Sequence, residues 1–428
     1  MSLIKQKFRL ENPENFKNQA MVWASQFETA ACLNSNHFKD QYHQFDLLIS
    51  AGVQRELTAQ AGGALDQLDA FIVNCPLYIP GFLGYDLKNE IETLESRNWD
   101  GLCFPDLYFF IPQFQLIFSG DEVEISADQP ATTYQSILAL EPLQNCTDFK
   151  GKLQQRLNRE TYINAVSKLK EHIQRGDIYE VNFCQEFYAE DAELNPLAAY
   201  FELNQCSPTP FSNFFKLRNR YIISATPERF ICKRQDKLSS QPIKGTARRL
   251  ANPEEDEKIK EELRASEKER AENVMIVDLV RNDLTKCALP GTVKVDELCG
   301  IYSFEQVHQM ISTVSCQLAE GTTLSHILRS SFPMGSMTGA PKIRAMQLIE
   351  SYEQTRRGIY SGSVGYMAPN GDFDFNVIIR TMLYDANQKY LSFQVGSAIT
   401  HQAIPENEYD ECLLKAKAIL QVLKSKIN

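Results

Sequence analysis

Glu269 and Glu272 stand three residues apart in "EKERAENVMIVDL", which puts both carboxylates on one helical face just where an apolar run begins. Glu408 and Glu411 repeat the arrangement ahead of "CLLKAKAIL". Carboxylates at the edge of a buried stretch are costly unless something neutralises them. A hard cation such as Mg²⁺, which binds through a couple of carboxylates, waters and an anionic substrate, would do so. Two solvated helix ends would show the same spacing. Lys244 lies between Ile243 and Gly245 in "SQPIKGTARR", just before Arg248 and Arg249. Exposed, it is an ordinary surface charge; buried near two arginines, its pKa falls, and a neutral amine is a nucleophile or a base.

Three further places carry chemistry-bearing types. His308 in "VHQMIST" is an acid, a hydrogen-bond donor or a core histidine. Arg380 alternates with Ile378 and Met382 in "NVIIRTM", so the pattern puts a guanidinium beside Asn376 on one face of an apolar strand. Such a charge wants a partner, either a substrate carboxylate or a protein acid. "FPMGSMTGAPK" at 332–342 is a glycine-punctuated loop running into a helix, which suits an anion or a tight turn; it lacks the G-K-[ST] ending of a nucleotide loop.

The elements that must position these groups change in character along the chain. Up to about residue 125, runs such as "FDLLIS", "FIVNCPLYI" and "LYFFIPQFQLIF" predict mostly strands. Residues 126–158 are polar and weakly periodic, as expected of a connection between lobes, with 1–155 as an N-terminal region and 156–428 as a catalytic one. "TYINAVSKLKEHIQRG" predicts a helix ended by Gly176. In "DIYEVNFCQEF" a strand follows, with Glu180, Asn182 and Cys184 on one face and Tyr179, Val181 and Phe183 on the other. "GSVGYMAPNGDFDFNVIIRTMLY" carries an Asn-Gly turn between alternating segments. The class is α+β, two-lobed, with largely antiparallel sheets flanked by helices.

A chain of 428 residues is ample for a large core. With 55 acidic against 44 basic residues, its net charge of −11 opposes attraction to nucleic acid and to anionic membrane surfaces. Eleven cysteines without a C-x-x-C pair read as reduced thiols in a cytoplasmic protein. The opening "MSLIKQKFRLENPENF" lacks a signal peptide's apolar run, and no segment is apolar enough to span a membrane.

Taken in order, "GDIYEVNFCQEF", "TPERF", "PIKGTARR", "ENVMIVDLVRNDL", "HQMISTV", "FPMGSMTGAPKIRAMQLIE", "RRGIYSGSVGY", "VIIRT" and "EYDECLLKAKA" resemble the chorismate-utilising enzymes over about residues 155–425. That family includes anthranilate, aminodeoxychorismate, isochorismate and salicylate synthases. "FDLLIS" and "GFLGYDLKNEIE" resemble, more loosely, the N-terminal region of the first two.

The resemblance implies roles residue by residue. Glu272 and Glu411 match Mg²⁺ ligands, and Glu269 and Glu408 match acids that support the metal through water. Arg380 and Tyr360 match groups holding a carboxylate of chorismate, with Ser336 and a turn at Gly396, Ser397 and Ala398 nearby. His308 matches a histidine lying against the ring, and Glu228 matches the acid that protonates the departing C4 hydroxyl. At Lys244 the family divides: members that make anthranilate carry alanine, whereas members that aminate C4 carry "PIKGT".

The lysine branch implies attack of Lys244 on C2, loss of water from C4, then attack of ammonia at C4 with expulsion of the lysine. Such a cycle asks for a Glu228 pKa pushed up and a Lys244 pKa pushed down. Two departures stand out: Glu180 replaces the glutamine usual in amine-transferring members, and "VGSAITHQAIP" replaces a more glycine-rich turn. No cysteine sits in the G-x-C-x-G setting of a glutaminase nucleophile, so the resemblance implies a separate glutamine amidotransferase subunit (component II) as ammonia source. It also implies a downstream lyase on the route to 4-aminobenzoate and folate. Anthranilate synthesis is the alternative, and the segment Leu48 to Ser50 is a further candidate to hold tryptophan.

Overall fold

The structure, a computed structural model, describes residues 3–143 and 147–425. Its frame is one continuous sheet folded about the long strand Leu107–Ser119. From that strand one arm runs through Leu47–Ala59, Thr29–Asn34, Ser212–Leu217, Arg220–Ser224, Thr381–Asp385 and Tyr390–Ile399 to Glu180–Ala189. The other runs through Ile79–Leu83, Ser363–Met367, Phe373–Asn376, Arg229–Arg234 and Lys237–Gln241 to Val307–Gln317, which also carries Lys294–Ser303 and Ile243–Arg248. All of these ladders are antiparallel, as the alternating sequence and short turns require.

The arms face one another. Leu48, Phe82, Tyr108, Phe215, Ile222, Val364 and Leu383, drawn from strands of both, form one buried cluster between them. A second cluster packs helices Pro13–Ser25, Arg159–Gln174, Pro196–Cys206 and Pro405–Val422 on the outside of the first arm. A third packs Ala64–Phe71, Glu267–Thr285 and Leu324–Ser331 on the outside of the second. The far end of each arm therefore lies under a helix that carries one of the glutamate pairs.

Local signals place these helices. Asn158 caps Arg159–Gln174 by accepting from the Thr161 amide, and Gly176 follows with φ of 80°. Ser266 caps Glu267–Thr285 through the Glu269 amide, which fixes where the first glutamate pair begins. Asn370 and Gly371 turn the chain between Ser363–Met367 and Phe373–Asn376 as the sequence predicts.

The stretch 126–158 is more ordered than its polarity suggests. Pro130 opens the helix Pro130–Leu138, whose Ile137 is buried, and Tyr134 stacks on Phe8 at 4.4 Å between ring centroids. The aromatic contact supplies what the weak periodicity lacks. Residues on both sides of position 155 share the sheet and the first core cluster. Among the described residues no helix is long and apolar enough to cross a membrane, and ten cysteines are free.

Candidate active site

The two arms meet at an ion pair whose lysine and glutamate side chains are 10% and 1% exposed. Lys244, on Ile243–Arg248 at the end of the second arm, donates from Nζ to Glu180 Oε1 at 2.7 Å. Glu180 opens the strand Glu180–Ala189 at the end of the first arm and is 1% exposed. Gly245 makes the approach of a third element possible. It has φ of +89°, and a Cβ there would lie 3.1 Å from Glu269 Oε2 at the start of Glu267–Thr285.

Lys244 lies in a field of carboxylates. Burial pulls its pKa down, but the charges of Glu180, Glu272 and Glu228 outweigh this, and the result lies above the ordinary lysine value. The downward shift expected from sequence is therefore corrected: the resting group is an ammonium, because its nearest partner is an acid invisible to a one-dimensional reading. Glu228 meets the opposite expectation. Burial pushes it up to about 7, against the opposing pull of Ser336, Lys244, the Ile243 amide and Arg380. A carboxyl in that state holds a proton near neutral pH and can give it away.

Arg380 is not inside a strand. The alternation of "NVIIRTM" breaks between Phe373–Asn376 and Thr381–Asp385, and Arg380 sits at the break with φ of +51°. A non-glycine residue in the left-handed region costs energy and persists where the surroundings impose it. Burial lowers its pKa, and Glu228 is the acid that counters this. Ser336, on the short turn Gly335–Met337, is also buried beside Glu228.

Glu272, Glu269, Glu408 and Glu411 come together from helices Glu267–Thr285 and Pro405–Val422, and Lys268 feels all four. Burial pushes Glu272 up to about 7, with Lys244 opposing and Glu180 adding to the shift. Burial also raises Glu408, whose carboxylate accepts from Ser397. Burial would raise Glu411 too, but Lys415 at 2.8 Å holds it below the usual range. Among the described residues no three acids, histidines or cysteines already converge as a metal cage. The donor set nonetheless fits a hard cation: Glu272 Oε1 is buried without a hydrogen-bond partner, and its oxygens are of the kind Mg²⁺ takes. Glu180 Oε2 and Ser336 Oγ are buried and unpartnered as well. Three such atoms in one site leave hydrogen-bonding capacity that water, an ion or a bound molecule can take up.

Other predicted residues are placed differently. Both ring nitrogens of His308 are engaged, Nδ1 with Ser303 Oγ at 2.8 Å and Nε2 with Asp256 Oδ1 at 3.0 Å. Tyr360 is buried, with the Cys184 thiol 3.9 Å from its hydroxyl. Gly396, Ser397 and Ala398 form no turn: they continue the strand Tyr390–Ile399, opposite Cys184, Phe183 and Asn182. The unbroken "YLSFQVGSAI" has nothing to interrupt pairing there. Leu48, Ile49 and Ser50 are fully buried in the sheet, and Ser50 Oγ accepts from Gln115 at 3.2 Å.

A cavity of about 690 Å³ lies on the far side of the same strands. Pro227, Arg229 and Ile243 line it, whereas their neighbours Glu228 and Lys244 do not. Sequence reasoning missed Glu353 and Arg357, whose buried pair braces the site, and Lys268 among the acids. Only the four-residue spacing of Glu353 and Arg357 could have signalled the first.

A folded antiparallel sheet that brings a largely covered lysine, a glutamate pushed up to about 7 and a cluster of helix-borne carboxylates to the meeting of its arms marks an enzyme site. The chain belongs to the chorismate binding enzymes, matching that family over residues 6–421. It is 36% identical over 348 residues to aminodeoxychorismate synthase component 1 of Escherichia coli (strain K12), covering 80% of this chain and 76% of that one. It is 34% identical over 360 residues to anthranilate synthase component 1 of Thermus thermophilus, covering 81% and 77%. Among solved structures, anthranilate synthase component I from Streptococcus pneumoniae TIGR4 superimposes with a TM-score of 0.77 at 25% identity, over 89% of this chain and 95% of that one.

Proposed function

We propose that this chain aminates chorismate at C4, giving 4-amino-4-deoxychorismate, the reaction named for its aminodeoxychorismate synthase component 1 relatives. The observation that carries the reading is Lys244, its side chain 10% exposed, paired with the buried Glu180 and within the fields of Glu228 and Glu272. A charged side chain is withdrawn this far from solvent only with a partner, and one that faces several carboxylates in a single site is a candidate to react.

Chorismate would lie between the glutamate cluster and Arg380. Arg380 orients one carboxylate by its planar fork. Mg²⁺ held by Glu272 and Glu411, with Glu269 and Glu408 behind them, would supply positive charge for the ring carboxylate. Lys244 Nζ attacks C2, the ring double bonds shift, and the C4 hydroxyl leaves as water with the Glu228 proton. Ammonia attacks C4 from the opposite sense, and the C2–Nζ bond breaks. The nucleophile is protein-borne in the first half and free in the second, so one site makes and unmakes its own adduct. Ammonia comes from a glutamine amidotransferase subunit, a partner that the "component 1" in the relatives' names supports.

The test is mass spectrometry of the products formed from chorismate, Mg²⁺ and ammonium, with and without an amidotransferase subunit. An amine-bearing product that keeps its enolpyruvyl group is expected, and Lys244→Ala should abolish it. Anthranilate with pyruvate would overturn the reading.

A further inference from the structure

The amination cycle begins with a lysine that carries one proton too many. Lys244 is an ammonium at rest, and an ammonium has no lone pair with which to attack C2. Some base within reach of Nζ must take that proton before the C–N bond forms and return it after the bond breaks.

We infer that Glu180 is this catalytic group: its Oε1, 2.7 Å from Lys244 Nζ, accepts the lysine's proton and gives it back at the end of each turnover. The inference rests on the amination reading and deepens it. The contact is already at the distance of direct proton transfer, so no water or rearrangement is needed. Glu180 is 1% exposed and Oε2 has no partner, so its geometry is not set by solvent or by a second cation. Its backbone is fixed too, because Glu180 pairs with Ala340 on the strand that follows the Ser336 turn. Glu228 cannot do the same work, since it must enter the cycle as a proton donor.

The step balances. The Nζ–H bond of the ammonium breaks and an O–H bond forms on Glu180. The freed electron pair bonds C2, and the C4–O pair leaves with the Glu228 proton as water. Ammonia then bonds C4, the C2–N pair returns to Lys244, and Glu180 gives its proton back to Nζ. The new C4 ammonium passes one proton to Glu228. Both acids end as they began, and the sum is chorismate plus ammonia to aminodeoxychorismate plus water.

Glu180→Gln keeps a hydrogen-bond acceptor of the same shape but cannot hold the proton. At neutral pH its kcat should fall by about 10²- to 10⁴-fold with KM for chorismate within about threefold of the parent. The deficit should shrink as pH rises, because hydroxide replaces the missing base. The other groups whose charge reaches Lys244 are Glu228, Glu272 and Glu411, with Arg380 beside Glu228, and they are the same in both proteins. Should Glu180→Gln fail to fold, Glu180→Asp carries the test: its carboxylate is drawn back by one methylene, and its deficit should likewise shrink with pH.

A Glu180→Gln rate within about threefold of the parent at neutral pH, or a deficit that pH leaves unchanged, overturns the assignment while the parent still makes aminodeoxychorismate. Anthranilate from the parent itself would overturn the functional reading and Glu180's role with it, and the parent's product alone tells the two failures apart.

Discussion

Arg357 and Glu353 form an ion pair at 2.7 Å with side chains 1% and 3% exposed. The guanidinium also donates to the carbonyls of Asn182 and Met337, and Glu353 accepts from the Cys184 amide at 2.8 Å. One pair thus ties the strand that begins at Glu180 to the turn that carries Ser336. Arg357→Met leaves Glu353 buried without its cation, which costs about 3–5 kcal/mol. Urea denaturation should show that loss, and Glu353→Gln in the same chain should recover part of it.

Glu228 sets a limit on the alkaline side. Its carboxyl must be protonated to release water from C4, and burial holds it at about 7. As pH rises through that value the protonated fraction falls, so kcat/KM should decline above about pH 7 through this group. Stability follows the same sign. The folded carboxyl keeps a proton that the unfolded chain, at 4.5, has lost, so its contribution falls as pH rises from 4.5 towards 7. Glu228→Gln should abolish most turnover and flatten that part of the stability profile, as measured by rate and by thermal melts across pH.

Much of this site was legible in one dimension, and the failures have physical causes. Glu269 and Glu272, like Glu408 and Glu411, are each placed by a helical spacing that only needs to be counted. The α+β class follows from two periodicities in one chain. Local sequence predicts a lowered pKa for Lys244 because Glu180, which raises it, is 64 positions away and meets it only where the arms come together. The apolar neighbours of Arg380 predict a strand, and the left-handed backbone that breaks the ladder has no sequence mark in a non-glycine residue. For His308 the sequence leaves an acid, a hydrogen-bond donor and a core histidine open, and the partners on its two nitrogens, Ser303 and Asp256, are 5 and 52 positions away.

Arg380 offers a split between binding and chemistry. Its fork grips a planar carboxylate by two parallel hydrogen bonds, which a lysine cannot reproduce. Arg380→Lys keeps the charge and should raise KM for chorismate by about 10- to 100-fold, roughly 1.4–2.7 kcal/mol, with a smaller change in kcat. Steady-state kinetics with saturating ammonium checks it. An unchanged KM would make Arg380 a structural partner of Glu228 alone.

The glutamate cluster should be strained without a cation and relieved with one. Above about pH 7 Glu272 ionises in a buried place where Glu180 and Glu269 repel it, and Lys244 and Lys268 partly offset them. Glu272→Gln removes that charge and should stabilise the metal-free protein at pH 8 by about 1–3 kcal/mol, seen as a higher melting temperature. Mg²⁺ should do the same for the parent protein through preferential binding to the folded state, and chelation should reverse it along with activity. In Glu272→Gln the cation should no longer raise the melting temperature, because the carboxylate with the unpartnered oxygen is gone. A variant still stabilised by Mg²⁺ as strongly as the parent would place the metal elsewhere.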